Sequence, residues 1–240
     1  MNDWLSRTEL ILGKEGLEKL RASKVLVVGL GGVGAYAAEM ICRSGVGSMT
    51  IVDGDTVHRS NRNRQLPALK STEGKPKADV MGQRLRDINP ELSLEVINEY
   101  IKDDRMTEIL DDGYDYVVDA IDTLSPKVFL IYHSMNRKMP VVSSMGAGGK
   151  FDPLSVRVAD ISDTSDCSLA RILRKRLHRL GIREGFTAVY SPEGIDKSKI
   201  VPTNGEQNKA SIVGTISYMP AVFGIACASV VIRDLAGIPR

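Results

Sequence analysis

KVLVVGLGGVGAYAAEMICRSGVGSMTIVDGD, residues 24–55, carries the strongest structural signal in the chain. Lys24–Val28 is a short apolar run of the kind a strand buried on both faces shows, and it leads into glycines at 29, 31 and 34. The glycines open a helical pattern, AYAAEMICRSG, and a second apolar run, MTIV, ends at Asp53. G-x-G-x-x-G between a strand and a helix, with an acid at the end of the next strand, predicts a nucleotide or dinucleotide site. Backbone amides at such a helix start suit phosphate, and Asp53 can take ribose hydroxyls. A glycine turn without a ligand is the bland alternative.

Working outward, the chain keeps alternating. After a polar loop come KADVMGQRLRDIN, SLEVINEY, DDRMTEILDD, YDYVVDAID, PKVFLIYHSMNR and PVVSSMGAGG, helix and strand in turn. The pattern predicts an α/β fold, a Rossmann-like doubly wound and largely parallel sheet, with ligands at the carboxyl ends of its strands. Beyond Gly149 it changes to an isolated strand, LSVRVADI, a basic helix from about Arg171 to Leu180, and a polar stretch over 191–210 that reads as a flexible loop or crossover. We expect one nucleotide-binding domain over 1–240, with its core in 7–149 and a mixed C-terminal extension in 150–240.

Composition narrows the class. Thirty-two cations against 30 anions give a formal charge of +2, too balanced for coating nucleic acid by charge alone. Cys42, Cys167 and Cys227 are odd in number and far apart, so neither a disulfide framework nor a paired zinc site is expected, and a reducing, cytoplasmic setting fits. The opening residues MNDWLSRTEL lack a signal-peptide apolar region. Residues 212–232 carry no charge and could nominally span a bilayer, but Thr215, Ser217 and Pro220 parse them as a strand, SIVGTISY, followed by a core helix, with no membrane contact.

Downstream of Asp53 the residues depart from what hydride transfer needs. DGDTVHRSNRNRQ supplies Asp55, Asn61, Arg64 and Gln65, and GKPKADVM supplies Lys75 and Lys77. Such a cluster suits cleavage of a triphosphate, where charge building between the α and β phosphates must be met by fixed cations or magnesium. Arg62 and Lys75 taken singly read as solvated loop charges, and Asp119 as a strand-end cap.

D-x-D-x-V-x-x-S-N-x-x-R-Q at 53–65, the G-x-P-K helix start at 74–77 and VVDAIDT at 117–123 together resemble the ThiF/MoeB/HesA (ubiquitin-activating-enzyme-like) superfamily. The resemblance implies that Gly29, Gly31, Gly32 and Gly34 line ATP and that Asp53 holds its ribose. It implies that Asp55, Asn61, Arg64, Gln65 and Lys77 complete the nucleotide site, with Asn61, Arg64 and Lys77 on the phosphates and Asp122 on Mg2+. Arg64, Lys77, Asp122 and Arg7 would be catalytic, Arg7 entering the partner subunit's site in a homodimer.

Branches that activate sulfur-carrier proteins usually carry zinc on two CxxC pairs, which are missing here, so no zinc is expected. Instead NRQ, PKADVM, DAID, GAGG at 146–149 followed by FDP, and SLARILRKRL are similar to the tRNA threonylcarbamoyladenosine dehydratase group (TcdA/CsdL). That likeness implies adenylation of a carboxylate on tRNA carrying threonylcarbamoyladenosine, cyclisation by a neighbouring atom, and release of AMP and pyrophosphate. A sulfur-transfer partner is a possible addition.

The basic helix places Leu169, Ile172, Leu173, Leu177 and Leu180 on one face. Arg171, Arg174, Lys175 and Arg179 on the others are candidate tRNA contacts. Cys167 lies where thioester-forming relatives carry a cysteine, although an incidental thiol is the plainer reading. Two alternatives stay open: an adenylating enzyme for a ubiquitin-like or sulfur-carrier C-terminus, and an NAD-binding oxidoreductase or sensor module.

Overall fold

The computed structural model describes residues 4–196, 198, 200–202 and 211–239. Strands β1 (Lys24–Val28), β2 (Ser48–Val52), β4 (Tyr116–Asp119) and β5 (Val141–Ser144) form the parallel heart of a seven-stranded sheet ordered β3-β2-β1-β4-β5-β7-β6. These strands are buried along nearly their whole length, which is why they read as unbroken apolar runs. Strand β3 (Ser93–Ile97), at one edge, alternates exposure instead.

At the other edge the sequence reading needs correction. LSVRVADI is not isolated: β6 (Arg157–Asp160) pairs antiparallel with β7 (Thr187–Tyr190), and β7 pairs parallel with β5. TAVY at 187–190 is short and no helical pattern follows it, so the alternation that marks the other strands fails there.

Helices cover both faces. On one, α1 (Ser6–Ala22), α2 (Gly34–Arg43), α3 (Lys77–Ile88) and α7 (Tyr218–Ala236) enclose Ile41, Met81, Phe223 and Val231. On the other, α4 (Asp103–Asp111), α5 (Leu124–Asn136) and α6 (Ser168–Arg179) enclose Leu110, Ile131, Leu173 and Phe186. The uncharged stretch ends as expected, in a short strand β9 (Ser211–Val213) and a helix whose first turn holds Pro220. Helix α7 has the length and composition of a membrane span, but it packs on α1 and α2 with half of its most apolar window buried. The polar 191–210 stretch is not all loop, because β8 (Ile200–Pro202) pairs antiparallel with β9. Lys197, Lys199 and residues 203–210 lie outside the described part.

Helix α1, which the sequence reading did not mark, is broken at Gly13 by a left-handed φ of 71°. Its second half packs Gly16 against Ala236, while Leu5 in front of it reaches Gly45 at the amino edge of the sheet.

A buried acid ties α2 to α3. Glu39 accepts from Arg84 Nε at 2.5 Å and from Arg43 Nε at 2.8 Å. Burial pushes the Glu39 carboxyl up, yet the two guanidiniums outweigh it and hold the group below its ordinary 4.5. A depressed carboxyl contributes stability above the unfolded-state value that is lost as pH falls through the folded one. Glu39→Gln should therefore cost about 1.5–3 kcal/mol at neutral pH. The deficit should shrink as pH falls below about 4.5. Urea titrations at pH 7 and pH 3.5 check this, and an equal loss at both would contradict the assignment.

Candidate nucleotide site

The carboxyl ends of β1, β2, β3 and β4 meet at one edge, and the loops leaving them build the site. Gly29 turns out of β1 with φ 91°, and a Cβ there would lie 2.7 Å from the Ala120 carbonyl oxygen. At Gly34 a Cβ would meet the Gly29 carbonyl oxygen at 1.7 Å. Both positions therefore need glycine for packing. Gly31 differs: its missing Cβ faces only the Gln65 amide, with nearest approach 3.7 Å, so the loop is open on that side. Gly32 lies against Pro220 of α7, which braces the loop from behind.

Asp53 holds the loop from β2. Its Oδ2 accepts the Leu30 N–H at 2.6 Å and its Oδ1 the Asp55 N–H at 2.8 Å. Burial raises the carboxyl above its ordinary value, with Lys77 and those two amides acting against the shift. A carboxylate has about four lone-pair sites. Two N–H bonds thus leave Asp53 acceptor capacity toward ribose hydroxyls.

Lys77 opens α3, buried, with its Nζ 2.7 Å from Asp55 Oδ2. Tyr100, on the loop after β3, donates its hydroxyl to the other Asp55 oxygen. That bond to Asp55, then burial, then the charges of Asp55, Asp53 and Asp122, push the phenol up to about 12. Asp55 thus bonds this tyrosine, and Asp53 and Asp122 act on it through their charge; sequence reading missed it. Only its position after β3 could have signalled it.

The 53–76 loop crosses the site's open side. Asn61 is buried and uses its Oδ1 to accept the His58 N–H at 3.0 Å. Arg64 Nη1 donates to Ser60 O at 3.0 Å and Asn63 Oδ1 at 2.8 Å, while Asn63 ties the loop to Thr215. Gln65 Oε1 is buried without a hydrogen-bond partner beside Gly31. An orphaned buried acceptor next to the open glycine is what a ligand would complete.

Asp122 is exposed on the loop after β4. Below it Asp119, read from sequence as a strand-end cap, pairs at 2.8 Å with Lys127, which sequence reading did not single out. Among the described residues no cluster of three or more His, Cys, Asp or Glu forms a metal cage, so a cation here would rest on few carboxylates. Mg2+ bound chiefly by phosphates and water suits such a setting.

Two expected residue groups lie elsewhere. Arg7 is two residues from Leu5, at the amino edge of the sheet, a strand length of about 16 Å from the glycine loop. Its side chain is exposed. Helix α6 exposes Arg171, Lys175 and Arg179 as expected, but Arg174 turns inward, donating to Thr164 O at 2.8 Å and to the Thr164 hydroxyl. The apolar stripe is also narrower than its sequence suggests, since Ile172 and Leu180 are 43% and 39% exposed. The α6 core contacts are Ala170, Leu173 and Leu177.

The cysteines hold no exposed nucleophile. Cys167, in front of α6, is buried in the core, and burial pushes the Cys42 and Cys227 thiols up to about 11 and about 12.

Comparison with known proteins gives the chain's family. The ThiF family pattern matches residues 5–240. The tRNA threonylcarbamoyladenosine dehydratase of Bacillus subtilis is 40% identical over 244 residues, covering 96% of this chain and 93% of that protein. The crystal structure of E. coli tRNA N6-threonylcarbamoyladenosine dehydratase in complex with ATP is similar with a TM-score of 0.88 at 33% identity, over 97% of this chain and 93% of that one. Its complex with AMP gives 0.87 at 32%, over 99% and 97%.

The glycines make opposite predictions. Gly34→Ala should prevent stable folding, because the added carbon meets backbone that cannot yield. Gly31→Val should leave the melting temperature near wild type and weaken ATP binding at least about ten-fold, or about 1.4 kcal/mol. Calorimetric titration checks it, and wild-type ATP affinity in Gly31→Val would contradict an open ligand face.

Proposed function

Because the chain belongs to the ThiF family, we propose that it is an ATP-dependent tRNA threonylcarbamoyladenosine dehydratase. It adenylates the free carboxylate of the threonylcarbamoyl group and closes that group into a ring. The observation that carries this reading is a whole-length match to such dehydratases in a chain whose Gly31, Asp53, Lys77 and Asp122 share one sheet edge.

The chemistry requires no enzyme nucleophile. ATP supplies an AMP group to the substrate carboxylate and leaves as pyrophosphate, which turns a poor leaving oxygen into a good one. A neighbouring atom of the same threonylcarbamoyl group then attacks the activated carbonyl carbon. The carbon–oxygen bond to AMP breaks, and the proton on the attacking atom passes to solvent. Tethering of nucleophile and electrophile in one group gives this step a high effective molarity. The chain's part is to place and to neutralise. Gly29, Gly31, Gly32 and Gly34 admit the nucleotide, and Asp53 takes the ribose. Asp55 holds Lys77 toward the phosphates, which Asn61 and Arg64 also contact, and Gln65 completes the nucleotide site beside Gly31. Asp122 would hold Mg2+, which would supply positive charge against the pyrophosphate.

Arg7 points to a homodimer. It follows Leu5, which lies against Gly45 at the far end of the sheet from the glycine loop, and Leu10 and Ile11 beside it are 73% and 81% exposed, an apolar stretch that a second copy would cover. Arg171, Lys175 and Arg179 on α6 take the tRNA phosphate backbone, whereas Arg174 holds the 161–164 turn on which α6 rests. With all three cysteines buried, a sulfur-transfer partner that engages this chain brings its own thiol. The cytoplasm, where tRNA is available, is the compartment this reading assigns.

Nucleoside mass spectrometry of tRNA carrying threonylcarbamoyladenosine, incubated with protein and ATP, tests the reading. We expect ATP-dependent loss of the mass of one water from the modified nucleoside; an unchanged nucleoside would overturn it. Mixing inactive Arg7→Ala and Lys77→Ala chains should restore part of the activity, since a mixed dimer regenerates one complete site. No recovery despite proven subunit exchange would place Arg7 outside the reaction. Changing Arg171, Lys175 and Arg179 together to Gln should flatten the slope of log tRNA affinity against log salt by roughly two to three units. Melting temperature should hold, because exposed cations contribute little to folding. An unchanged slope would make α6 a solvated face.

A further inference from the structure

Lys127 and Asp119 are 1% and 0% exposed, an ion pair shut inside the molecule at 2.8 Å. Each also bonds one short loop, and Asp119 takes a further bond from the neighbouring strand. Asp119 Oδ1 accepts the Ile121 N–H at 3.1 Å, and Lys127 Nζ donates to the Ile121 carbonyl at 3.0 Å. Ser143 of β5 donates to Asp119 Oδ2 at 2.6 Å, fixing the carboxylate from the next strand. The peptide groups on both sides of Ile121 are therefore clamped, the second being the one that joins Asp122.

A buried ion pair is poor value for stability, since apolar residues of similar size often do as well or better. What this pair supplies is a fixed loop geometry. Ala120, inside the clamped segment, touches both ends of the glycine loop: its carbonyl limits Gly29 and its Cβ limits Gly34. One clamp thus sets Asp122 and the glycine turn in a common frame.

We propose that Lys127 is a positioning residue for the adenylation step, acting through Asp119 and the Ile121 peptide to aim Asp122 at the magnesium-bound nucleotide. This rests on the reading of Asp122 as the carboxylate that holds the metal. Lys127 touches neither nucleotide nor tRNA.

The test separates positioning from mere support of the fold. Lys127→Met alone leaves Asp119 buried and unpaired and loses stability for that reason. The double variant Asp119→Asn with Lys127→Met removes both charges, keeps an acceptor for the Ile121 N–H and releases the Ile121 carbonyl, while the Ser143 hydroxyl turns from donating to Asp119 to accepting from the new amide. Its melting temperature should recover most of the single variant's loss. Its kcat for tRNA-dependent AMP formation should remain about ten- to a hundred-fold below wild type, the scale of a small misplacement of reacting groups. KM for ATP should change less than about three-fold, as expected when an interaction acts in the transition state rather than in ground-state binding. The Mg2+ concentration giving half-maximal rate should rise.

A readout without turnover accompanies these. Amide deuterium exchange over 119–124 should quicken in the double variant, while β1 and β5 keep wild-type protection. If stability and kcat recover together, or exchange at 119–124 does not change, the clamp is structural support and the proposal falls. Asp122→Asn serves as the reference. A full rate and wild-type Mg2+ dependence there would remove the metal reading of Asp122, and the proposal with it. An impaired Asp122→Asn beside a fully active double variant would overturn the clamp alone.

Discussion

The glycine turn and the loop after β4 are packed backbone on backbone, and the site depends on that contact. The Gly29 and Gly34 positions have no space for even one added carbon, because the Ala120 carbonyl and the turn's own carbonyl occupy it. This closeness lets α2 begin directly beneath the ligand position. It also brings the Asp53 and Asp122 carboxylates, which come from different strands, within electrostatic reach of the same phenol. Helix α7 braces the arrangement through Pro220 against Gly32 and Gly224 against the start of α2. The least polar helix of the chain thus serves the most polar region. An apolar helix that resembles a membrane span by composition is, in this fold, the rear wall of a nucleotide site.

Two lysines do different electrostatic work at this edge. Lys77 is buried but paired with an acid that also receives Tyr100, so its charge lies at the mouth of the site within a polar network. Lys127 is enclosed on all sides and acts only on a loop. In a chain with nearly equal cations and anions, the positive charge that matters is concentrated: part on the 59–77 crossing and α3 start, part on α6. A reaction that develops charge on pyrophosphate and uses a polyanionic substrate calls for such local concentration rather than a high net charge.

Most of the parallel sheet was legible because its strands are buried on both faces and separated by helices, which writes a strong period into the sequence. The same cause hid β7: four residues with no helix after them carry no period, and without β7 the edge strand β6 looked isolated. Residues on motifs with fixed spacing, such as Gly31, Asp53, Lys77 and Asp122, fall on loops and a helix start at the carboxyl ends of the parallel strands, where this fold class puts a ligand. Tyr100 and Lys127 could not be read from spacing, because their roles arise from strands and loops meeting in space. Arg174 shows the converse error. Its spacing on α6 put it among exposed cations, yet a turn ten to thirteen residues earlier in the chain folds back and captures its guanidinium.

In the proposed reaction the substrate's own carboxylate is joined to AMP before the ring closes, on a site that lends charge and position but no covalent partner. Oxygen labelling tests it most directly. With both carboxylate oxygens of the threonylcarbamoyl group carrying oxygen-18, single-turnover reaction should deliver one labelled oxygen into the phosphate of AMP for each ring formed, and none into water or pyrophosphate. Unlabelled AMP accompanying ring formation would contradict the account, because the oxygen lost on cyclisation would then have left by another route.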